Sequence, residues 1–383
     1  MVYWLISVRC PPAQAESLWA SVQTDLRGAG FGSMTKFRFE VPTHFKIGSL
    51  DSLVSLADDL GKLDHQLEAL TKKAERQLKE LDPNAELTVN RPNLNVFDSY
   101  RPRAYVSQFA WNNAKFPAAK SLPELAALIQ EKLSQLDTDV KKKGQEYLDA
   151  KSALDAYLKK EGGNLTVRDL GEVLTPAVAR HEDFVNSDHL QTLLVVVPEK
   201  DAQRFPQAYE QLSQWVVPRS TKQFRVEDRD GFTLWRMVVW KSAVSDIQAA
   251  CRNEKWVARE FEYHADYLTK QAASREELRK AYEDTSRKLL KTCKEVFSEL
   301  YICLMHLKAI RLFVESVLRY SLPPTFLAFG LEPEEGRERK LEDVLVRKFL
   351  REGESVDLYV RTDQDEGEDF FPYVMIPINV VVG

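Results

Sequence analysis

The sequence predicts an α+β protein with the shape of an elongated dumbbell, and three observations lead to this fold class. Helical periodicity is sustained over unusually long regions, a strand-rich block lies between two of them, and strand patterns return at both chain ends. Helical patterns longer than about 25 residues are typical of coiled coils, membrane spans or repeats. We therefore predict an α/β foot made from both chain ends, a long helical neck and a compact head.

The N-terminal part begins as a small α/β unit and continues as a long helix. A strand pattern covers Val2–Val8, an amphipathic stretch follows at Ala13–Leu26, and Lys36–Val41 alternates with period two. From Leu50 the apolar period changes to three and four, and Pro83 ends the pattern. The apolar stripe of this helix consists of Leu53, Leu56, Leu60, Leu63, Leu67, Leu70, Ala74, Leu78 and Leu81.

Two further helices form the predicted neck. The first begins at Ser121-Leu-Pro-Glu, with a capping residue and an early proline, after a strand predicted at Ala104–Trp111. If it is unbroken, it covers about 36 residues and about 54 Å, although Gly144 lies in its interior. The second covers His264–Tyr320 and ends before the Pro323-Pro pair. A large helical bundle would use the same patterns, so that alternative stays open.

A block of alternating strands and helices separates the two neck helices. Its predicted order is strand, helix, strand, strand, helix and strand, at Gln191–Val197, 200–215, Ser220–Val226, Phe232–Trp240, Ala243–Asn253 and Trp256–Tyr263. This β-α-β-β-α-β order is the ferredoxin-like arrangement, so the block is the predicted head. The aromatic residues of Phe232–Trp240 predict either a binding face or the packing of a central strand.

Strand patterns return near the C-terminus, at Ser355–Arg361 and Pro372–Val382. The acidic stretch 363–369 between them is interpreted as a solvated loop. Two strands alone do not form a stable domain, so we expect them to join the N-terminal sheet. The predicted domains are foot 1–120, neck helix 121–164, head 165–262, returning neck helix 263–322 and foot 323–383.

Composition and charge exclude several classes of function. The 383 residues are 44% hydrophobic and 29% charged, with a net charge of −5. This is a globular composition without the basic stripe that nucleic-acid binding requires. Four cysteines without a Cys-x-x-Cys pair are typical of reduced thiols in the cytosol. The apolar N-terminus lacks the features of a signal peptide, and no apolar run reaches about 18 residues, so we expect membrane association only through partners.

The sequence offers no set of residues for catalysis. The segment Gly28-Ala-Gly-Phe-Gly lacks both the Gly-Lys-Ser/Thr ending and the strand-to-helix context of a phosphate-binding loop, and we interpret it as a turn. The cluster of His181, Asp183, Asp188 and His189 matches no common metal-ligand spacing and is typical of a solvated, N-capping loop before the strand at Gln191. We therefore predict no cofactor, no metal and no enzyme activity.

The last long helix carries two groups that admit more than one interpretation. Cys303 and His306 lie at i, i+3, where a thiolate–imidazole pair is possible, but nothing orients them and core packing is favoured. Arg311, Glu315 and Arg319 follow one another at i, i+4. They predict either a charged stripe for a partner or an ion-pair ladder within the helix, which contributes only a few tenths of a kcal/mol per pair.

Several short segments along the chain, taken together and in order, resemble one protein family. They are Tyr3-Trp-Leu-Ile-Ser, Phe39-Glu-Val-Pro, Gly48-Ser-Leu-Asp-Ser-Leu, Phe109-Ala-Trp-Asn-Asn-Ala-Lys-Phe-Pro, Val167-Arg-Asp-Leu, Val217-Pro-Arg-Ser, Arg259-Glu-Phe, Ala309-Ile-Arg-Leu-Phe-Val-Glu-Ser-Val-Leu-Arg-Tyr-Ser-Leu-Pro-Pro and Phe371-Pro-Tyr-Val. With them the chain resembles the C subunit of vacuolar-type (V-type) proton-pumping ATPases. It departs from the family pattern at Ser321, Ala258 and Asn112, where glycine, proline and aspartate are usual.

The resemblance implies a non-catalytic stator subunit on the cytosolic face of vacuolar or other endomembranes. Such a protein joins peripheral stalks of subunits E and G to the cytosolic domain of subunit a, and it leaves the complex during reversible disassembly. The resemblance also implies actin binding for some members. On this basis the candidate partner contacts are Arg219, Arg259, Glu260, Arg311, Glu315 and Arg319.

Two other functions compete with this one. A cytoskeletal or scaffolding helical protein would use the same long helices to form a homodimer, whereas a stalk protein is expected to be a monomer in isolation. An enzyme with its site on the ferredoxin-like block is the third alternative, and it lacks a matching acid, base and nucleophile.

Overall fold

The computed structural model of the protein describes residues 2–92, 97–175, 177–228, 230–262, 267–350 and 371–379. Its helices are α1 (Ala15–Gly28), α2 (Leu50–Leu81), α3 (Pro102–Ser107), α4 (Leu122–Glu161), α5 (Leu170–Val173), α6 (Phe205–Ala208), α7 (Val244–Asn253), α8 (Tyr267–Tyr320) and α9 (Glu338–Phe349). Its strands are β1 (Val2–Arg9), β2 (Lys36–Arg38), β3 (Val89–Pro92), β4 (Phe97–Tyr100), β5 (Leu190–Pro198), β6 (Lys222–Phe224), β7 (Phe232–Trp240), β8 (Val257–Glu260), β9 (Phe326–Leu331) and β10 (Val374–Asn379).

The mixture of long helices and antiparallel sheets confirms the α+β class. The chain divides into two compact units. Unit 1 consists of residues 1–144 and 287–383, and unit 2 consists of residues 145–286. The two divisions of the chain fall inside α4 and inside α8.

The main sheet of unit 1 joins strands from both ends of the chain. Its order is β10-β1-β9-β2, and every neighbouring pair is antiparallel. Strands pair with β1 on both of its sides, and its central part is buried. The strand predicted within Pro372–Val382 is confirmed by β10. The predicted strand Ser355–Arg361 and the acidic stretch 363–369 lie outside the described residues.

The two faces of β1 contact different layers of unit 1. Alternate residues of a strand point to opposite faces. Trp4 and Ile6 belong to a buried cluster with residues of α1 and with Leu341 of α9. On the other face, the hydroxyl group of Ser7 hydrogen-bonds that of Ser316 in α8 at 2.5 Å. The sheet therefore lies between two helical layers.

The long helix α2 forms where the leucine stripe predicts it. The hydroxyl of Ser49 caps its first turn by accepting the backbone N–H of Ser52 at 3.3 Å. The helix covers 32 residues, and its buried residues follow the predicted stripe. It ends at Leu81, and Pro83 follows shortly after it.

The two long helices that were predicted for the neck are confirmed as continuous helices. In α4, Glu124 accepts the backbone N–H of Ser121 at 2.8 Å, as a capping residue does. This helix covers 40 residues and continues through Gly144 without a break. The helix α8 covers 54 residues and ends at Tyr320, ahead of Pro323.

The strand predicted at Ala104–Trp111 is wrong, because the structure has the short helix α3 there. Pro102 occupies the first turn, where its missing N–H costs nothing, and Tyr105 donates its backbone N–H to Arg101 at 3.0 Å. Tyr105 and Val106 are buried. Aromatic and β-branched residues favour strands only weakly, and tertiary packing overrides that preference here.

Unit 2 is built on a second antiparallel sheet with the order β6-β7-β5-β8. One face packs on α6 and α7, in a buried cluster that includes Met237 and Ile247. The other face packs on the segment around α5, in a cluster that includes Leu170 and Leu234. Both faces of this sheet are therefore covered by the chain itself.

The prediction of a single helix over 200–215 is wrong, because the structure has three short helical segments there. The structure has a 3-10 turn at Glu199–Asp201, the four-residue helix α6, and a second 3-10 turn at Tyr209–Gln211. Pro206 explains the interruption, because a proline is tolerated only in the first turn of a helix. The remaining elements of this block form at the predicted places.

Candidate partner-binding surfaces

A network of charged side chains is buried inside unit 1. Lys308 of α8 is 1% exposed. Its ammonium group donates to Asp64 and Glu68 of α2 and to the carbonyl oxygen of Pro377 in β10, each at 2.7 Å. All three donors of the ammonium group are thus used. A buried charge persists only when it is paired and hydrogen-bonded, so this lysine ties the three elements together.

Two further side chains complete the network and balance its charge. The amide of Asn379 donates to Glu68 at 2.9 Å, and Arg311 donates to Asp64. Burial alone would raise the pKa of Glu68, but the charge of Lys308 and the hydrogen bonds from Lys308 and Asn379 lower that pKa below its usual value. Two carboxylates therefore face two cations.

The predicted charged stripe of α8 is used within unit 1. Arg311 is bonded to Asp64 and only 21% exposed, and Arg319 donates to the carbonyl oxygen of Phe371. Glu315 is half-buried; burial raises its pKa, and the charge of Arg311 opposes this effect. Arg311 and Arg319 thus hold α8 to its neighbours. Their contact with a partner stays a prediction.

Cys303 and His306 both lie in the core of unit 1. The backbone N–H of Asn112 donates to Nε2 of His306 at 3.0 Å, so Nδ1 carries the proton and donates to the carbonyl oxygen of Ile302 at 2.8 Å. Burial raises the pKa of the Cys303 thiol to about 12. The two residues therefore serve packing and do not form a thiolate–imidazole pair.

Arg219 of unit 2 has an exposed side chain on a constrained turn. Its backbone is left-handed, with a φ of 54°, and its N–H donates to Glu210 at 2.9 Å. The same carboxylate oxygen accepts the hydroxyl of Tyr209 at 2.9 Å. These hydrogen bonds, first of all that from Arg219, lower the pKa of Glu210. The hydrogen bond of its backbone N–H thus fixes the turn, and the side chain of Arg219 is exposed.

Arg259 and Glu260 differ although they are neighbours in β8. Arg259 donates from one guanidinium nitrogen to the carbonyl oxygens of Leu165 and Arg168, so it secures the segment before α5. Glu260 is exposed and accepts the side-chain amide of Gln248 at 3.4 Å. Of the two, Glu260 is the more accessible to a partner.

Three aromatic residues, Trp215, Trp240 and His189, form what we name the aromatic surface of unit 2. The two tryptophans are 43% and 40% exposed. Their rings lie 5.8 Å apart with an edge-to-face angle of 68°, and His189 stacks 6.1 Å from Trp240. Tryptophan is among the residue types most enriched at interface hot spots, the positions that contribute most of the binding energy. The exposed tryptophan pair is therefore a candidate contact for a partner.

The cluster of His181, Asp183, Asp188 and His189 was expected to form a solvated, N-capping loop. Asp183 does accept the backbone N–H of Arg180, as a capping residue does, but the expectation that it is solvated is wrong. The side chain is buried, accepts from Lys222 at 2.7 Å, and lies 3.5 Å from Arg236. Burial would raise its pKa, but the hydrogen bonds from Lys222 and the N–H of Arg180 lower it. The other three residues of that cluster are exposed. In the described ranges, no group of three or more histidine, cysteine, aspartate or glutamate side chains is arranged to hold a metal ion.

A cleft of about 590 Å³ opens on the surface of unit 1, beside one end of its main sheet. It is lined by Val2, Trp4, Ser33, Met34, Thr35, Arg103, Glu332, Pro333, Glu334, Glu335 and Glu338. Arg103 donates to Glu332 at 2.9 Å at its edge. We name this feature the acidic cleft.

Across the part of the chain that the structure describes, no helix is long and apolar enough to cross a bilayer.

The buried network, the aromatic surface and the acidic cleft were not predicted from the sequence. A signal for the network existed, because Asp64 lies on the leucine stripe of α2 and Glu68 follows it by one turn. Lys308 likewise lies in a mostly apolar part of α8. The exposure of Trp215 and Trp240 left no comparable signal, because it depends on what covers each face of the sheet.

Comparisons with known proteins agree along nearly the whole chain. The family model for the V-ATPase C subunit matches residues 3–374. The V-type proton ATPase C subunit of Arabidopsis thaliana is 31% identical over 389 residues, with 99% of each chain covered. That of Caenorhabditis elegans is 32% identical over 390 residues, covering 99% of this chain and 97% of the relative.

A match among solved structures is much weaker. It is the cytoplasmic N-terminal domain of subunit I, a homolog of subunit a, of V-ATPase, with 14% identity and a TM-score of 0.29. The alignment covers 91% of this chain and 98% of that one. The similarity of shape is too low to support any conclusion.

Proposed function

We propose that this chain, which belongs to the V-ATPase C-subunit family, is a non-catalytic stator subunit of a vacuolar-type proton-pumping ATPase. In this role it would connect the catalytic sector to the membrane sector from the cytosolic face of vacuolar or other endomembranes. The observation that carries the proposal is the length of the family match, since relatives align over 99% of this chain. The resemblance therefore covers both units and not a single module.

The proposed task is mechanical. A rotary pump requires a stator that resists the torque of catalysis, and continuous helices such as α4 and α8 suit such a load. The head, residues 165–262, would bind one E–G stalk, and the foot would bind a second stalk together with subunit a. Contacts that are moderate in area and polar would allow the reversible release implied by the family resemblance.

The aromatic surface is the best-supported candidate for the stalk contact of the head. Trp215 and Trp240 would supply the apolar centre of an interface. Arg219 and Glu260 are exposed in the same unit and are proposed as further contacts. Arg259, Arg311, Glu315 and Arg319 remain proposed contacts as well. The three arginines each donate a hydrogen bond within their own unit, and Glu315 is half-buried. We therefore rank these four residues behind the exposed ones.

Binding of the full-length chain to a purified E–G heterodimer tests this proposal. Calorimetry is expected to give a stoichiometric complex, and light scattering a monomer for the chain alone. The double variant Trp215→Ala/Trp240→Ala should weaken binding about tenfold or more. The matched control is Leu148→Ala/Leu158→Ala, which removes two exposed apolar side chains elsewhere in unit 2. Equal losses in both variants would remove the aromatic surface from the proposal.

The same experiment decides about the scaffolding alternative. A stable homodimer that ignores the E–G heterodimer would favour a helical scaffold over a stator. Cosedimentation with actin filaments tests actin binding, which the family resemblance implies for some members. The dumbbell shape also belongs to this proposal, and small-angle scattering of the monomer measures it.

A further inference from the structure

The imidazole of His306 in α8 packs against a loop of unit 1 that is neither helix nor strand. This loop, residues 109–118, lies between α3 and α4, and we name it the covering loop. Phe109, Trp111 and Phe116 place their rings around the imidazole, with centroids 5.1, 4.8 and 4.5 Å from its own. His306 is 0% exposed, whereas Asn113 and Ala114 of the loop are exposed. Water therefore gains access to the imidazole when the covering loop moves.

The hydrogen bonds of His306 require a neutral imidazole. A backbone N–H can only donate, so the N–H of Asn112, whose nitrogen lies 3.0 Å from Nε2, requires Nε2 to be unprotonated. Nδ1 then carries the proton and donates to the carbonyl oxygen of Ile302 at 2.8 Å. A second proton at Nε2 would place two N–H groups against each other. Protonation therefore converts a bond between the covering loop and α8 into a repulsive contact.

Hydrogen bonds within the covering loop keep it in one conformation. The side-chain oxygen of Asn112 accepts the backbone N–H groups of Ala114 at 3.0 Å and Lys115 at 3.1 Å. The carbonyl oxygen of Asn112 accepts the N–H of Phe116 at 2.9 Å, and the indole of Trp111 donates to the carbonyl oxygen of Phe116 at 2.8 Å. Because Asn112 is bonded to its neighbours in this way, a displacement of its backbone should move the loop as a unit.

The charged and titratable groups around this site come from several elements of unit 1. Lys115 of the covering loop donates to Glu299 of α8 at 2.6 Å, so these two charges balance. Burial raises the pKa of the Cys303 thiol to about 12, so it stays protonated near neutral pH. The other groups are Lys132 of α4, Tyr105 of α3 and His44 of the segment before α2. Among all these residue types, histidine is the one whose ordinary pKa lies between about pH 5 and 8.

We propose that protonation of His306 releases the covering loop from α8. At pH values above the ordinary imidazole pKa of about 6.5, the neutral ring accepts the N–H of Asn112 and the loop is held. At lower pH a proton from water binds Nε2, the bond from Asn112 breaks, and both N–H groups are hydrated as the loop opens. The aromatic rings attract an imidazolium, but this attraction leaves the N–H of Asn112 without its acceptor.

The consequence of opening is an apolar surface that forms on acidification. Phe116 is fully buried and Trp111 is half-buried in the closed loop, so both rings would gain contact with solvent. Such a surface would make the binding properties of unit 1 depend on pH between about 5 and 7. The proposal adds regulation to the chain and does not rest on the stator function.

Hydrogen exchange of the full-length chain, corrected for the intrinsic exchange rate at each pH, tests the proposal. Protection of the covering loop should fall about tenfold between about pH 7.5 and about pH 5.5, because the open form takes up the proton more readily than the closed form. In His306→Gln the fall should disappear, since an amide offers an acceptor oxygen and does not titrate. The control His44→Gln/His65→Gln replaces the other two histidines of unit 1 and should keep the tenfold change.

Measurements on the wild-type chain decide the matter even if His306→Gln does not fold. Protection of the covering loop that stays constant over this pH range would overturn the proposal, and so would an equal fall throughout α2, which would show general acid unfolding of unit 1. Nitrogen NMR of ¹⁵N-labelled histidine should find Nε2 of His306 unprotonated at about pH 7.5. A protonated Nε2 at that pH would contradict the neutral ring. Neither readout involves the E–G heterodimer, so failure here leaves the stator function untouched.

Discussion

The two halves of α8 show that one unbroken helix is stabilised differently along its length. In unit 1, the ten consecutive residues Tyr301–Ile310 are all buried. In unit 2, the described side chains from 273 to 281 are nearly all exposed. There the helix is laced by i, i+4 ion pairs such as that between Glu276 and Lys280, at 3.7 Å.

The difference has an energetic meaning. Each large apolar side chain that is fully buried contributes about 1.5–3 kcal/mol, whereas an exposed ion pair contributes at most about 1 kcal/mol. The part of α8 in unit 1 should therefore be stable through tertiary packing, and the part in unit 2 through local interactions. Helical periodicity is similar in both, so the distinction is visible only in the structure. Four substitutions examine it, from the largest expected effect to the smallest.

Lys308→Ala should have the largest effect. It removes the cation that faces Asp64 and Glu68 and leaves two buried carboxylates with only part of their compensation. Breaking a buried ion pair on one side costs about 3–5 kcal/mol of the free energy of unfolding. Urea denaturation measures the loss, and hydrogen exchange assigns it to unit 1. Lys280→Ala is the matched control, and a loss comparable to the control would contradict a structural role for the network.

Glu68→Gln should destabilise unit 1 in a pH-dependent way. The folded-state pKa of Glu68 is lowered, so its ionised form contributes stability at pH values above the ordinary glutamate pKa of about 4.3. This contribution is lost as the pH falls through the folded-state pKa. The substitution should cost about 1–3 kcal/mol at neutral pH, and the difference from the wild type should narrow on acidification.

The control for this experiment lies on the same helix. Glu80 is exposed on α2, so Glu80→Gln should change neither the stability at neutral pH nor its acid dependence. Chemical denaturation at several pH values measures both variants. A destabilisation by Glu68→Gln that stayed constant down to low pH would show that the substitution acts through packing and not through charge.

The long helices were predictable from the sequence because their signal is local. Periodic leucines and a proline stop define α2 without reference to the rest of the chain. The short helix α3 was not predictable in this way, because a run of aromatic and β-branched residues fits either state. The partners Lys308 and Glu68 are 240 positions apart, so no local pattern joins them. The buried network could therefore be recognised only in the folded structure, where segments that are distant in the sequence lie in contact.

Tyr282→Ala should have a moderate effect, confined to unit 2. Its ring lies 5.6 Å from that of Tyr147 in α4, and the two hydroxyl oxygens are 3.5 Å apart. Aromatic pairs contribute about 0.5–1.5 kcal/mol beyond the area that they bury. A double-mutant cycle with Tyr147→Ala measures the coupling through hydrogen exchange in α8. Additive losses would show that the two rings do not stabilise each other.

Lys280→Gln should have the smallest effect. It removes the ion pair with Glu276, in which both side chains are more than half exposed. Such i, i+4 pairs contribute about 0.3–0.5 kcal/mol, and salt screens them. Hydrogen exchange of α8 at low and high ionic strength measures this loss, which should disappear at high salt. A loss as large as that of Tyr282→Ala, and insensitive to salt, would mean that this half of α8 is held by more than its own surface charges, and the contrast between the two halves would fail.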